Sequence, residues 1–250
     1  MTSIPTWIKP FDEIFMQLSR RWDCSQIFDD FLDVAISHFD PTPNIELDTR
    51  MQKVYTEEER KLFSALFSQW LQCTVKELKS DDWVYADLLG NYYEYIAGKF
   101  KRSNFGQFLT PEHLVELMTR MIISDATEKI QRINDPACGS GRMLLSAHMF
   151  LKGNIIAYAE DLDKMCCKMT VLNFLIHGVE GEVIHHNSLA RDHFLNGWYV
   201  NQYRRQAIFT VRKIEIENSY IMRHTDQIIK HGTEHRQEQD SPIEQLVINF

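Results

Sequence analysis

The chain is short of proline, with 7 in 250 residues, and no two of them are adjacent. Glycine is also sparse at 10, so collagen-like and Pro/Gly-rich disordered classes are excluded. The five cysteines are odd in number and two of them, Cys166 and Cys167, are neighbours. They do not form the even, spaced framework that staples small secreted domains, and a reducing cytoplasm is the expected setting. Positive charge is missing as an excess: 27 basic against 35 acidic residues leave a net charge of −8. That excludes gripping nucleic acid through the overall field and leaves room only for a local basic groove. No run approaches the length of a membrane helix, and residues 1–15 lack the basic start and apolar stretch of a signal peptide, so neither is expected.

What is present, 44% apolar and 25% charged residues, suits a globular chain with a sizeable core. The acidity is uneven. Residues 1–100 carry 17 acids and 10 bases, whereas residues 101–250 carry 18 and 17. The acidic part also has helical periodicity: Phe11, Ile14, Phe15 and Leu18, then Ile27, Phe31, Val34 and Ala35. After Pro41 and Pro43, Thr56 and Glu59 form a capping-box pattern ahead of the apolar face Leu62, Phe63, Leu66, Phe67, Trp70 and Leu71. A further helical run covers 84–96. Residues 1–103 are therefore expected to be a helical N-terminal domain.

Past Gly98 the pattern changes to helices alternating with short β-like runs, as in a parallel α/β sheet. Thr110 as N-cap and Pro111 at the first helical position predict a helix start, with Leu114, Leu117, Met118 and Met121 as its buried stripe. A strand (129–134), a Gly-rich turn, a helix (143–151), a strand (155–159), a helix (164–177) closed by Gly178, and a strand (182–186) follow. This order is half of a doubly wound sheet. A second domain over 104–220 is expected, with 221–250 a tail or a partial completion of the sheet. Residues 190–199 read as an irregular loop and 207–217 as a moderate strand.

The residues with chemical content cluster where strands end. Asp135-Pro136-Ala137-Cys138-Gly139-Ser140-Gly141 lies between the first strand and its helix. Its glycines let a ligand approach the backbone at the positive end of a helix, and Asp135 could accept from an amine or hydroxyl. Such a turn also occurs as a plain β-to-α connection. Asp161 ends the second strand 26 residues after Asp135, where an open α/β sheet places the acid that binds ribose hydroxyls. An acidic run there also serves to cap the next helix through Asp163.

These segments resemble the adenine-N6 DNA methyltransferases, in particular the modification subunits of type I restriction enzymes. The resemblance rests on Gly106-Gln107-Phe108-Leu109-Thr110-Pro111, on Asp135 to Gly141 followed by Met143-Leu144-Leu145, on Asp161-Leu162-Asp163 with Asn173, His177 and Gly178, and on Asn187-Ser188-Leu189. It implies a Rossmann-like S-adenosylmethionine-dependent methyltransferase fold with an all-helical N-terminal extension. It further implies that Phe108 and Thr110 contact the methionine end of the cofactor S-adenosyl-L-methionine, and that Asp135, Ala137, Gly139 and Gly141 cradle it. Asp161 would bind the ribose hydroxyls, Leu162 would pack on the adenine ring, and Asn187, where the family normally has Asp, would accept from the adenine amino group. Implied partners are DNA and the other subunits of a restriction-modification system.

The family's Asn-Pro-Pro-aromatic motif, whose Asn and proline carbonyl accept from the target amine while the ring stacks on the flipped base, has no counterpart here. Asn196-Gly197-Trp198-Tyr199 keeps only its first and last residues, so Asn196 and Tyr199 are the candidates for a degenerate catalytic motif. About 60 residues follow Asn187, too few for a full second half of the sheet and a target-recognition domain, so a truncated fold is expected. Two other readings stand beside the DNA methyltransferase: a non-catalytic relative that binds cofactor or protein, and a methyltransferase for a non-DNA substrate. No metal is expected, because His185, His186, Cys166 and Cys167 lack zinc-site spacing. Arg204, Arg205, Arg212 and Lys213 form a small basic cluster suited to phosphate or to a solvated face.

Overall fold

The computed structural model describes residues 4–79, 85–100, 109–123, 129–190, 193–223 and 248–249. Five helices come first: α1 (Lys9–Leu18), α2 (Cys24–Ser37), α3 (Ile45–Val54), α4 (Glu57–Leu78) and α5 (Leu88–Phe100). The capping box is present at α4, where Glu59 N–H donates to Thr56 Oγ1 and Thr56 N–H donates to Glu59 Oε2. Then α6 (Glu112–Ile122), α7 (Arg142–Phe150) and α8 (Lys164–His177) are interleaved with β1 (Gln131–Asp135), β2 (Ile155–Asp161) and β3 (Glu180–His186). The chain continues with β4 (Phe194–Val200) and β5 (Val211–Lys213), and β6 (Ile248–Asn249) joins last.

The sheet order is β5-β4-β3-β2-β1-β6. β6, β1, β2 and β3 run parallel, while β4 and β5 are antiparallel to their neighbours. The β1-α7-β2-α8-β3 run is the expected half of a doubly wound α/β sheet, and β6 adds a parallel strand on the far side of β1. Among the described residues no helix is long and apolar enough to cross a membrane.

One continuous apolar core joins Phe11, Phe15, Phe31 and Tyr92 of the helical segment to Ile133, Ala157, Val183, Trp198 and Val200 on one face of the sheet. The two segments expected as separate domains thus share their interior. Each buried aromatic ring contributes roughly 1.5–3 kcal/mol, and the Phe11–Tyr92 pair adds an edge-on contact at 4.9 Å. Helix α8 lies between the sheet and α2, and it is buried from Cys166 to Leu175. Lys168 of α8 is fully buried yet paired with Asp29 at 2.6 Å and Asp33 at 2.7 Å on α2. Such a pair recovers its desolvation cost without adding much, and its effect is to set the register of α2 on α8. The opposite sheet face carries a smaller cluster around Tyr158, Ile184, Ile214 and Ile221.

Four local expectations are corrected. Helix α6 buries Val115 and Thr119, and leaves Leu117 55% and Met121 75% exposed. Its apolar stripe is wider than the face it presents to its neighbour α7, and the core takes one edge of it. Thr110 does not cap α6: Pro111 occupies the cap position, without a side-chain bond, and the Thr110 carbonyl instead accepts from Arg142. Residues 194–200 form β4 rather than a loop, because pairing with β3 stabilises a segment that has little alternation of its own. Of 207–217, only β5 is a strand.

Candidate functional site

The turn after β1 is held by the end of β2. Cys138 N–H donates to Glu160 O at 2.9 Å, and Gly139 N–H to Asp161 Oδ2 at 2.9 Å. Gly141 has φ of 85° and caps α7; a Cβ there would lie 3.0 Å from Thr170 Cγ2 on α8. Left-handed backbone and close helix packing both call for glycine at this position. Asp135 is buried at the end of β1, and its Oδ1 accepts from Ala137 N–H at 3.1 Å. Burial pushes its pKa up to about 6; the Ala137 N–H opposes the rise and the Asp161 and Glu160 carboxylates add to it. Beside it is a cavity of about 90 Å³ lined by Leu109, Thr110, Asp135, Ala137, Gly139 and Met143, among others.

Thr110, Asp135, Ala137 and Gly139 therefore meet at one cavity, whereas Gly141 is not part of its lining and packs against Thr170 of α8. Asp161 stands behind the turn, its carboxylate accepting from Gly139 N–H and, at 2.8 Å, from Asp163 N–H. Leu162 is 64% exposed just beyond β2. The Asn187 side-chain oxygen accepts from Leu189 N–H at 3.1 Å and Ala190 N–H at 3.3 Å, so it is engaged by its own loop. Ser188 ties that loop to the turn by donating to Pro136 O at 2.9 Å. Phe108 lies outside the described residues.

Asn196 and Tyr199 do not come together. Three residues apart on β4, they face opposite sides of the sheet. Asn196 borders a second cavity of about 210 Å³ on the α8 side with Lys164 and Trp198, and Tyr199 packs against the smaller cluster on the other face. His186 is bonded to Glu160 at 2.6 Å, and Cys167 to the carbonyls of Asp161 and Ile184. Among the described residues no three His, Cys, Asp or Glu side chains gather as metal ligands would. In the basic cluster, Arg204 is taken up by Glu180 and the carbonyls of Gly153 and Gly178.

Sequence reading missed Asp87. Its carboxylate is completely buried and accepts from Gly90 N–H (2.8 Å), Asn173 Nδ2 (2.8 Å), Ser140 Oγ (2.6 Å) and Arg142 Nε (2.6 Å). One signal was available: an Asp at the start of a helical run, with Asn91 and Glu94 continuing a polar stripe among Leu88, Leu89, Tyr92 and Tyr93. Spacing could not tell which partner the stripe meets. His177 closes the same region. Its Nδ1 bonds Asn173 O at 2.7 Å and its Nε2 accepts from Ala86 N–H at 3.1 Å, which requires the neutral ring. Burial lowers its pKa to about 4.

The sequence profile of a family described as N-6 DNA Methylase matches residues 84–213. The type I restriction enzyme MjaIX methylase subunit of Methanocaldococcus jannaschii is 27% identical over 201 residues, which cover 73% of this chain and 34% of that protein. The MjaVII methylase subunit of the same organism is 30% identical over 102 residues, 38% of this chain and 17% of that one. The chain thus spans at most about a third of the length of these curated relatives. Among solved structures, the type I restriction-modification system methyltransferase subunit from Streptococcus thermophilus aligns over 73% of this chain and 40% of its own, at 18% identity and a TM-score of 0.38.

Proposed function

This chain belongs to the N-6 DNA methylase family, and from that premise we propose that it binds S-adenosyl-L-methionine at the turn between β1 and α7, as the cofactor-binding part of an adenine-N6 DNA methyltransferase of the restriction-modification type. The observation that carries the reading is the buried Asp135: one carboxylate oxygen accepts from Ala137 N–H, and no other protein bond to it is found among the described residues. A buried carboxylate with an uncommitted oxygen beside a cavity fits a ligand that brings an amine, and the glycine turn leaves the backbone open to close approach. The bound cofactor supplies an activated methyl group on sulfonium sulfur.

The protein's part is to bind and orient. Asp135 accepts from the amine of the cofactor, with Thr110, Ala137 and Gly139 forming the wall beside it. Asp161 already takes two backbone N–H groups, and its remaining lone pairs suit ribose hydroxyls. Leu162 offers exposed apolar surface for the adenine ring. DNA is the proposed substrate, with target recognition supplied by partner subunits, and the cytoplasm is the proposed setting. Calorimetry with S-adenosylmethionine tests the premise: binding by the unaltered chain, lost in Asp135→Ala, is the expected result, and absence of any binding heat refutes it.

A second reading, a cofactor- or protein-binding module without transferase activity, is favoured by one observation. Asn196 and Tyr199, the candidates for a degenerate catalytic motif, face opposite sides of β4. Transfer of labelled methyl to DNA followed by nucleoside mass spectrometry separates the two, since N6-methyladenine is expected only from the first.

A further inference from the structure

Arg142 opens α7, at the end of the helix where the dipole disfavours a cation, and it is buried. A guanidinium in that place needs partners, and α5 supplies them from one face: Asp87 immediately before the helix, then Asn91 and Glu94 at the fourth and seventh positions after it. Arg142 Nε bonds Asp87 Oδ2 at 2.6 Å, and Nη2 bonds Asn91 Oδ1 at 2.9 Å and Glu94 Oε2 at 3.0 Å. The remaining arm, Nη1, reaches the Thr110 carbonyl at 3.1 Å. Asp87 grips the turn a second time through Ser140 Oγ, while Asn173 of α8 bridges Asp87 Oδ1 and Ser140 O. A Cβ on Gly90 would collide with Asp87 Oδ2 and lie 2.6 Å from Ser140 Oγ, so the glycine permits the approach.

Ser140 and Arg142 border the cavity, but these side-chain bonds direct their polar groups toward α5, Asp87 and the Thr110 backbone. We propose that Asp87 and Arg142 are positioning residues for the cofactor turn, holding Thr110 and Ser140 at a fixed distance from Asp135, so that cofactor affinity is set in part by helix α5. The proposal rests on the reading of this turn as the S-adenosylmethionine site. A buried Asp–Arg pair with this many partners is stiff, and removing one charge releases the two wall segments it connects. Cofactor affinity then falls because the wall must be ordered on binding.

The test measures affinity for S-adenosylhomocysteine by calorimetry, and melting temperature, on the full chain and on Asp87→Asn, Arg142→Lys, Glu94→Gln and Asp29→Asn. Asp29→Asn is the control, because it weakens the buried Lys168 pair between α2 and α8 without touching the turn. Expected results are a loss of about tenfold or more for Asp87→Asn, a smaller loss for Arg142→Lys, about threefold for Glu94→Gln, and no change beyond twofold for the control despite a lowered melting temperature. If Asp87→Asn fails to fold, Glu94→Gln carries the decision, since it removes one acceptor and leaves the Asp87 pair. Unchanged affinity in every folded variant at 87, 94 and 142 overturns the proposal while leaving the cofactor reading intact. A control that loses as much affinity as Asp87→Asn also overturns it, because the effect is then one of general stability. Failure of the unaltered chain to bind defeats the cofactor reading itself, and this proposal with it.

Discussion

Two carboxyl margins of the same sheet differ in what they can assemble. After β1 the chain reverses direction within six residues, and the reversal turns Asp135, Ala137 and Gly139 toward one cavity while the end of β2 holds the turn in place. At β3 and β4 the chain stays extended, with His185 opposite Asn196 and Glu182 opposite Tyr199. An extended strand sends residues three apart to opposite faces, so Asn196 and Tyr199 are separated by the sheet itself. A turn gathers side chains that are close in sequence, and a strand disperses them.

The strongest way to break this contrast is to deny the turn its left-handed step. Gly141→Val places a β-branched side chain at φ of 85° against Thr170, and it is expected to abolish cofactor binding in calorimetry and lower stability by about 3 kcal/mol or more in urea unfolding. Cofactor binding at the level of the unaltered chain would remove the turn from the site.

Asp135 provides the next test, and it has two opposed readouts. Its native pKa of about 6 exceeds its unfolded value of 3.8, so the folded state holds the proton more tightly. The ionised carboxylate therefore costs stability above pH 6, by about 3 kcal/mol at most, and the cost fades as pH falls from 6 to 4. Asp135→Asn is expected to melt higher than the unaltered chain at pH 7.5 and to lose that advantage near pH 4, while cofactor binding weakens at every pH. In the unaltered chain, affinity is expected to decline as pH falls through 6.

Histidine titration acts in the other direction. His148 and His177 are buried neutral, with pKa values lowered to about 4 mainly by burial. The unfolded state binds protons below pH 6.5 that these rings refuse, so stability falls from pH 6.5 to 4. With two such rings against one Asp135, chemical unfolding across this range is expected to show a net loss, reduced in His148→Gln.

The smallest effect is expected on the dispersing side. Asn196→Ala and Tyr199→Phe should each leave cofactor affinity within about twofold of the unaltered chain, and the double variant should be additive, as for residues without a shared partner. Strong non-additivity in methyl transfer would show that the two residues act together.

The legible parts of the molecule were those specified by neighbours in sequence. The Thr56 capping box, the Gly178 end of α8 and the Asp135–Gly141 turn each depend on residues within about seven positions, and each appears where the pattern predicts it. The strand at 194–200 escaped because its pairing energy comes from β3 and its own sequence alternates poorly. Asp87 escaped for the same reason: its partners Ser140, Arg142 and Asn173 lie 53, 55 and 86 residues away. On α6 the periodicity was right and the buried edge was not, since the width of an apolar stripe does not say which neighbour covers it.

The sequence alone determined the helical character of the first hundred residues, the alternating β and α elements, and a glycine turn flanked by carboxylates, because backbone dihedral preferences and helix caps act locally. Tertiary structure decided that those helices share a core with the sheet, that Arg142 reaches α5 beside the cavity, and that Asn196 and Tyr199 face apart. Those outcomes depend on burial of charge and on strand pairing between distant segments, whose energies exist only once the chain has closed upon itself.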